Sequence, residues 1–282
     1  MTLRQLKRTF LSELNAIYPN TEIESFFYLL VESILNLKRV DIALNIDNDI
    51  DISPKFHEAI NALVKQKPIQ YILGNTEFFG LYFEVNESVL IPRPETEELV
   101  HWICTDYIEN SKQINLIDIG TGSGCIAISL AKKIANIQVT ALDVSESALQ
   151  IAKKNAQINE VNVQFVTENI LHPISNKLNS KFDIIVSNPP YIRELEKKEI
   201  QKNVLDNEPH LALFVTDKNP LLFYNAIANF ALKHLRATGT LYLEINQYLG
   251  KETINLLKNK GFNRTELKQD IFGADRMIKC TF

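Results

Sequence analysis

The chain has 282 residues, of which 45% are hydrophobic and 23% are charged, and its formal net charge at pH 7 is −4. This length allows one large or two ordinary domains, and the composition is typical of a soluble globular protein. The acidic balance argues against a long nucleic-acid contact surface, and no apolar stretch has the length of a membrane span. We therefore expect a cytoplasmic protein without membrane association or sequence-specific nucleic-acid binding.

The three cysteines, Cys104, Cys125 and Cys280, lie far apart in the sequence. Their spacing matches no metal-ligand pattern, and an odd number of thiols cannot pair completely. We expect reduced thiols buried in the core and no metal site.

Residues 1–69 are predicted to form a helical domain. Within 22–36, apolar side chains recur at the spacing of one helix face: Ile23, Phe26, Phe27, Leu30, Val31 and Ile34. Thr21 followed by Glu24 three positions later is typical of a capping box, so we expect Thr21 to cap this helix.

Residues 70–94 are predicted to form a β-hairpin linker. The strand-like segments are 71–73 and 78–85, which are rich in aromatic and aliphatic residues around Gly80. The following segment, 91–97, reads Ile-Pro-Arg-Pro-Glu-Thr-Glu. Its prolines indicate a stiff stretch that then enters a helix.

Residues 95–282 are predicted to form an α/β domain, because apolar runs of strand length alternate with helical stretches. The predicted strands are 114–119, 139–143, 163–167, 183–187, 240–245 and 276–282. Such alternation is typical of parallel βαβ units and a doubly wound, Rossmann-like sheet. Ligands of such sheets bind at the carboxyl ends of the strands.

A glycine-rich turn follows the first of these strands. Gly120, Thr121, Gly122, Ser123 and Gly124 precede a helix predicted over 125–133. Glycines there allow a tight turn and close approach of the backbone to a ligand. Because Cys125 stands where a dinucleotide fingerprint has glycine or alanine, we favour S-adenosylmethionine over a pyrophosphate ligand. The alternative is that the glycines serve only close helix–strand packing.

Two polar residues follow the next strands. Asp143 ends its strand, where a carboxylate can accept hydrogen bonds from both ribose hydroxyls of an adenosyl ligand. The alternative is an N-cap for the next helix, a role that Ser145 could equally fill. Asn169 follows the third strand and is predicted to lie near the adenine, although a turn residue is as plausible there.

Asn188-Pro189-Pro190-Tyr191 closes the fourth strand. Two prolines cannot continue a central strand, so the chain leaves the sheet there. The Asn188 side-chain oxygen and the Pro189 carbonyl can accept both N–H bonds of a planar NH2 group, and Tyr191 can pack over it. Methyl transfer from a sulfonium to such a nitrogen mainly requires alignment. We therefore predict Asn188, Pro189 and Tyr191 as catalytic residues.

Together, the glycine turn, Asp143 and the Asn-Pro-Pro-Tyr segment resemble class I S-adenosylmethionine-dependent methyltransferases that act on planar nitrogens. Further stretches, 68–74, 78–83, 90–97, 207–213 and 243–247, resemble the HemK/PrmC family, the peptide chain release factor glutamine methyltransferases. The resemblance covers residues 22–282 and is strong from residue 68 onward.

This resemblance implies methylation of the glutamine side-chain amide in the Gly-Gly-Gln motif of release factors. It also implies that the helical domain helps to hold the release factor. The glycine turn, Asp143, Asn169 and Asn188 would bind the cofactor. The substrate would be bound by Asn188, Pro189, Pro190, Tyr191, Arg93 and Glu95.

Other readings remain open at this point. Glutamine methyltransferases acting on a ribosomal protein share the Asn-Pro-Pro-Tyr segment, but resemble this chain less over 92–97. A DNA or RNA amino-methyltransferase would flip a base into the same pocket and would need a basic groove. A non-enzymatic nucleotide-binding module would not require both the glycine turn and the amide-binding segment.

Overall fold

The computed structural model describes residues 1–51, 53–108, 112–173, 178 and 180–282. The α-helices are α1 (Leu3–Leu14), α2 (Asn20–Leu35), α3 (Arg39–Leu44), α4 (Lys55–Val64), α5 (Ile69–Leu73), α6 (Pro94–Tyr107), α7 (Cys125–Lys133), α8 (Glu146–Ile158), α9 (Lys202–Asn207), α10 (His210–Leu213), α11 (Leu222–His234) and α12 (Gly250–Asn259). The strands are β1 (Asn75–Phe78), β2 (Leu81–Glu84), β3 (Ile114–Ile119), β4 (Ile137–Asp143), β5 (Val163–Thr167), β6 (Phe182–Ser187), β7 (Ile192–Arg193), β8 (Phe214–Val215), β9 (Leu235–Glu244), β10 (Arg264–Gln269) and β11 (Asp275–Thr281). A 3-10 helix spans Glu194–Glu199.

These elements form two compact units, the first of which contains Met1–Gly74 together with Gln201–Asn207. Its core is built from the apolar faces of α1, α2 and α4, with Phe10 and Phe27 in edge-to-face contact. The return of 201–207 to this unit was not predicted from the sequence. Within the unit, Asn207 Nδ2 donates a hydrogen bond to the Gln66 carbonyl at 3.2 Å.

The predicted helix over 22–36 is confirmed as α2, but the prediction that Thr21 caps it was wrong. The helix begins at Asn20, and Pro19 occupies the N-cap position without a side-chain hydrogen bond. The fixed φ of proline suits the residue at a helix start, so the chain enters the helix before Thr21.

The second unit contains Asn75–Ile200 and Glu208–Phe282. Its main sheet has the order β10-β11-β9-β6-β3-β4-β5. The strands from β9 to β5 are parallel, whereas β11 runs antiparallel to both β9 and β10. The predicted doubly wound α/β fold is confirmed, and each predicted strand overlaps a strand of this sheet.

Both faces of the sheet are buried, which explains the continuous apolar runs of its central strands. Successive strand residues alternate between two core clusters: Leu116 faces the cluster beneath α6 and α7, and Ile117 faces the cluster beneath α11 and α12. Alternation between faces is the geometry of a β-strand. The polar residues that follow the strands are thereby left at one edge of the sheet.

A separate hairpin, formed by β1 and β2, packs on α8. Asn155, which is fully buried, accepts from the Glu84 N–H at 2.7 Å and donates to the Glu84 carbonyl at 3.0 Å. The same amide donates to the Ser123 carbonyl at 2.9 Å, which ties the hairpin to the glycine turn. Residues 71–73, which we predicted as part of the hairpin, instead complete α5, because Gly74 ends that helix in the left-handed conformation.

Candidate active site

A cavity of about 1020 Å³, including its mouth open to solvent, lies at the carboxyl ends of β3, β4, β5 and β6. All residues that line it belong to the second unit. It brings together seven residues that the sequence assigned to the site: Gly120, Gly122, Asp143, Asn169, Asn188, Pro189 and Pro190. Their convergence follows from the parallel sheet, which presents all these strand ends at one edge.

The glycine turn divides into a ligand-facing part and a packing part. Gly120 and Gly122 have φ of +76° and +55°, and a Cβ added to either would meet nothing within 4 Å. Gly124, with φ of +83°, differs because its Cβ would lie 2.8 Å from Ile128 Cδ1 and 3.2 Å from Ala152 Cβ. The packing interpretation therefore applies to Gly124, whereas Gly120 and Gly122 leave open space where they line the cavity.

Thr121 and Ser123, between the glycines, are buried and do not line the cavity. The Thr121 hydroxyl donates to Asp118 Oδ2 at 2.6 Å. Asp118 is fully buried, and its Oδ1 has no hydrogen-bond partner among the described residues. Burial raises the pKa of Asp118 to about 7, against the opposing effect of the Thr121 hydrogen bond. The sequence prediction did not include this carboxylate.

Asp143 faces the cavity with a carboxylate held by backbone N–H groups. Its Oδ2 accepts from Gly122 at 2.8 Å, and its Oδ1 accepts from Ser145 at 2.9 Å. Burial raises the pKa of Asp143, although these hydrogen bonds oppose the shift. Each carboxylate oxygen keeps a second acceptor position. Ser145, not Asp143, caps α8, through a 3.2 Å bond from the Ala148 N–H.

Asn169 and its neighbour Glu168 both line the cavity after β5. The Asn169 side-chain oxygen accepts from the Leu171 N–H at 2.9 Å, as in an Asx turn. Apolar Ile170 and Leu171 line the same wall. The turn role is therefore observed, and Asn169 is also one of the residues that line the cavity.

Asn188, Pro189 and Pro190 form the wall opposite this loop. Asn188 Nδ2 donates to the Thr96 hydroxyl at 3.1 Å, and that hydroxyl donates to Glu244 Oε2 at 2.7 Å. The Asn188 amide is thus held by its nitrogen. Its Oδ1 remains an acceptor that can serve a ligand in the cavity.

Tyr191 does not line the cavity. Its ring packs against the core cluster beneath α11 and α12, and its hydroxyl donates to Glu244 Oε1 at 3.0 Å. Burial raises the pKa of Tyr191, and the nearby Glu244 carboxylate adds to the shift. The Tyr191 carbonyl accepts from Asn246 Nδ2 at 3.0 Å. The tyrosine anchors this segment from behind instead of covering the cavity.

Arg93 and Glu95 also lie outside the cavity wall. Arg93 pairs with the buried Glu208 at 2.5 Å, whose other oxygen accepts from the Ile91 N–H at 3.2 Å. Glu95 is half-buried in the first turn of α6. Glu208 thus connects Ile91, which follows the lining residues 88–90, to Pro209 and the start of α10, where Pro209, Leu211 and Ala212 line the cavity. The sequences of segments 90–97 and 207–213 do not indicate that Arg93 and Glu208 form an ion pair.

The cavity fits S-adenosylmethionine by the chemistry of its walls. Gly120 and Gly122 leave open space where any side chain would protrude, and Asp143 offers carboxylate acceptors suited to ribose hydroxyls. Apolar side chains such as Leu142 and Ile170 complete walls suited to an aromatic base. The described residues contain no cluster of side chains that could hold a metal ion.

None of the helices in the described part of the chain has the length and apolar composition that a membrane span requires.

Comparison with known proteins supports the same reading. Residues 102–213 match the family model of the methyltransferase small domain. The T. thermophilus 16S rRNA methyltransferase, solved with AdoMet and guanosine, has a TM-score of 0.52 at 18% identity, and the likeness covers 73% of this chain and 49% of that one. At this identity the likeness shows a shared methyltransferase fold alone.

Sequence relatives are closer. The chain is 54% identical to the release factor glutamine methyltransferase of Flavobacterium psychrophilum over 100% of both chains. It is 43% identical to the protein of the same name from Bacteroides thetaiotaomicron, over 94% of this chain and 95% of that one. Since these relatives cover at least 94% of this chain and carry one name, the chain belongs to the release factor glutamine methyltransferase family.

Proposed function

We propose that this protein methylates the side-chain amide nitrogen of the glutamine in the Gly-Gly-Gln motif of peptide chain release factors. S-adenosyl-L-methionine would be the methyl donor and S-adenosyl-L-homocysteine the product. The proposal rests on one observation above all: Asn188 and Pro189 face the same cavity as Gly120, Gly122 and Asp143. An acceptor pair for a planar amide thus lies beside a site suited to an adenosyl ligand.

A glutamine amide is a weak nucleophile because its nitrogen lone pair is delocalised into the carbonyl. The Asn188 side-chain oxygen and the Pro189 carbonyl would accept its two N–H bonds and so fix the plane of the amide. Since the Asn188 nitrogen is already bound to Thr96, the oxygen is the atom presented to the substrate. Alignment of this kind supplies much of the acceleration of a bimolecular reaction.

Bound S-adenosylmethionine supplies a methyl group on a positively charged sulfur. The substrate nitrogen forms the new C–N bond with its lone pair as the C–S bond breaks, and the bonding pair stays on sulfur. The excess N–H proton then leaves to solvent, so the step needs no general base beforehand. Acceptor oxygens of Asn188 and Pro189 stabilise the positive charge that develops on the nitrogen.

The glycine turn and Asp143 would hold the donor: Gly120 and Gly122 by close backbone approach, and Asp143 by accepting from the ribose. Asn169 would lie by the adenine. Thr121, Ser123 and Gly124 would act indirectly, by keeping the turn in shape. Arg93 would likewise act through its pair with Glu208, and Pro190 and Tyr191 by fixing the backbone next to Asn188.

The helical unit, Met1–Gly74 with Gln201–Asn207, would contribute recognition of the release factor, and the second unit would carry the chemistry. Release factors act on cytoplasmic ribosomes, so this substrate implies a cytoplasmic enzyme.

Incubation with S-adenosylmethionine and a purified release factor tests the proposal. We expect peptide mass spectrometry to find one added methyl group on the motif glutamine and none on a release factor whose motif glutamine is replaced. A purified ribosome and total nucleic acid serve as competing substrates. Methyl incorporation into a ribosomal protein or a nucleic acid, with the release factor unmodified, would overturn the assignment.

A further inference from the structure

A buried acidic residue lies directly behind the proposed amide-binding residue. Glu244, the last residue of β9, is 2% exposed, and Thr96 in the first turn of α6 is 3% exposed. Neither lines the cavity. Burying an ionisable side chain costs free energy unless the side chain is paired or hydrogen-bonded. The hydrogen-bond partners of Glu244 therefore indicate why a carboxylate stands at this position.

Glu244 is the acceptor in both of its side-chain hydrogen bonds. Thr96 donates to Oε2 at 2.7 Å, and Tyr191 donates to Oε1 at 3.0 Å. An ionised carboxylate accepts both of these hydrogen bonds, one on each oxygen, and has no proton of its own to donate back to Thr96 or Tyr191. The Thr96 hydroxyl then has only its oxygen left for a third partner, as an acceptor.

That third partner is the Asn188 amide, 3.1 Å from Thr96 Oγ1. An acceptor there can be satisfied by the amide NH2 but not by the amide oxygen. The chain of donors therefore selects one of the two amide orientations, which have nearly the same shape and differ only by a half-turn of the side-chain amide. In the selected orientation the oxygen is turned away from Thr96; in the other, an NH2 group would face the NH2 of the substrate.

We propose that Thr96 and Glu244 are positioning residues, which fix the Asn188 amide with its oxygen toward the substrate nitrogen. This rests on the proposed function. Asparagine requires such positioning, because its amide has one acceptor oxygen and one donor NH2 group that a half-turn exchanges. An aspartate at position 188 would present an acceptor oxygen in either orientation. The Glu244 carboxylate takes the only proton of the Thr96 hydroxyl in a hydrogen bond, so this hydroxyl can only accept from the Asn188 amide.

Single substitutions at Thr96 test the role. Thr96→Val keeps the side-chain shape but removes the hydroxyl. It should lower kcat for release factor methylation about tenfold, as expected for one lost orienting hydrogen bond. The Kd for S-adenosylmethionine should stay within about twofold, because Asp143 and the glycine turn are untouched. Thr96→Ser, which restores the hydroxyl, should recover most of kcat.

Thr253→Val is the matched control. Thr253 is also fully buried in the second unit, and its hydroxyl donates to the Leu249 carbonyl at 2.8 Å. It should show a comparable fall in Tm without a loss of kcat. If Thr96→Val keeps full kcat, or if its kcat and cofactor affinity fall in parallel with Tm, the positioning role is overturned.

A double substitution tests the direction of the bonds. With Asn188→Asp the new carboxylate can only accept, so the Thr96 hydroxyl faces two acceptors with a single proton. Adding Glu244→Gln offers an NH2 group to Thr96 and releases that proton for the new carboxylate. The pair should therefore be several-fold more active than Asn188→Asp alone. A pair no better than Asn188→Asp alone contradicts the proposal.

One measurement does not depend on the substrate. In protein labelled with ¹⁵N at asparagine, the Asn188 side-chain NH2 signal can be identified by its absence in Asn188→Ala. Its hydrogen exchange should accelerate about tenfold in Thr96→Val relative to wild type and Thr253→Val. Unchanged exchange overturns the positioning role. Accelerated exchange with a wild-type enzyme that leaves release factors unmodified would count against the proposed function only.

Discussion

Two of the polar residues that line the cavity, Asp143 and Asn188, are held in different ways. Asp143 accepts from the backbone N–H groups of Gly122 and Ser145, so its position is part of the glycine turn. Asn188 is held through its side-chain nitrogen by Thr96, and its backbone leaves the sheet at two prolines. Because they share no partner, their contributions to binding and to turnover should separate.

Asn188→Ala removes an acceptor that meets the substrate nitrogen but not the donor molecule. We expect kcat to fall at least about a hundredfold, the usual scale for loss of a group that stabilises developing charge. The Kd for S-adenosylmethionine, measured by calorimetry, should stay within about twofold of the wild-type value.

Asp143→Asn should show the opposite pattern. Loss of a charge-assisted hydrogen bond costs about 1.5–3 kcal/mol, so we expect the Kd for S-adenosylmethionine to rise roughly 10- to 100-fold. At saturating donor, kcat should fall much less than in Asn188→Ala. If both variants lose cofactor affinity to the same extent, Asn188 has been given the wrong role.

At the scale of elements, the turn between β3 and α7 combines open space at the cavity with close helix packing. Gly124→Ala combines a left-handed backbone with a Cβ that would lie 3.2 Å from Ala152 Cβ, where α7 meets α8. We expect the free energy of unfolding to fall by about 2 kcal/mol or more, measured in urea.

Gly122→Ala adds a Cβ to open space, so the folding cost should be confined to the backbone, about 1–2 kcal/mol. The methyl group would occupy the cavity, and S-adenosylmethionine should bind more weakly. Gly261→Ala is its control, since Gly261 also has positive φ and a Cβ there meets nothing within 4 Å. Equal cofactor affinity in the two variants would mean that Gly122 does not approach the ligand.

The parallel strands could be predicted from the sequence because burial on both faces leaves continuous apolar runs such as β3 and β6. The edge strand β10 could not, since Arg264, Glu266 and Gln269 are exposed and the segment is mostly polar. The start of α2 was also mispredicted. The capping-box pattern at Thr21 was present, but Pro19 occupies the N-cap position and the helix begins at Asn20.

Site residues that follow a strand were predictable, because topology alone gathers them at one edge. Thr96 and Glu244 were not: they are 148 positions apart, and only the register of the folded chain brings them together. Arg93 was expected at the substrate because of the family resemblance over residues 90–97. Its actual partner, Glu208, lies 115 positions away and could not be identified before the fold was known.

At the scale of the whole molecule, several carboxylates of the second unit have pKa values shifted in opposite directions, with opposite effects on stability. Burial raises the pKa of Asp118, Asp143 and Glu244, which all lie at the carboxyl edge of the sheet. For Glu196 and Asp270, burial also acts to raise the pKa, but hydrogen bonds lower it below the ordinary value. The second group stabilises the fold above its unfolded pKa and loses that effect as the pH falls, whereas the first group destabilises the fold as the pH rises.

The pH dependence of stability that the first group causes can be measured at Asp118. Its pKa is about 7 in the fold against 3.8 in the unfolded chain, so between these values the native state binds the extra proton. Unfolding then releases a proton, and the free energy of unfolding falls as pH rises, by up to about 1.4 kcal/mol per pH unit.

Asp118→Asn keeps an oxygen that can accept from Thr121 but cannot titrate. Measured by urea unfolding without ligand, the stability of the variant minus that of wild type should increase from about pH 4 to about pH 7 and level off above. A difference that does not change with pH would show that Asp118 is ionised throughout this range in the native protein.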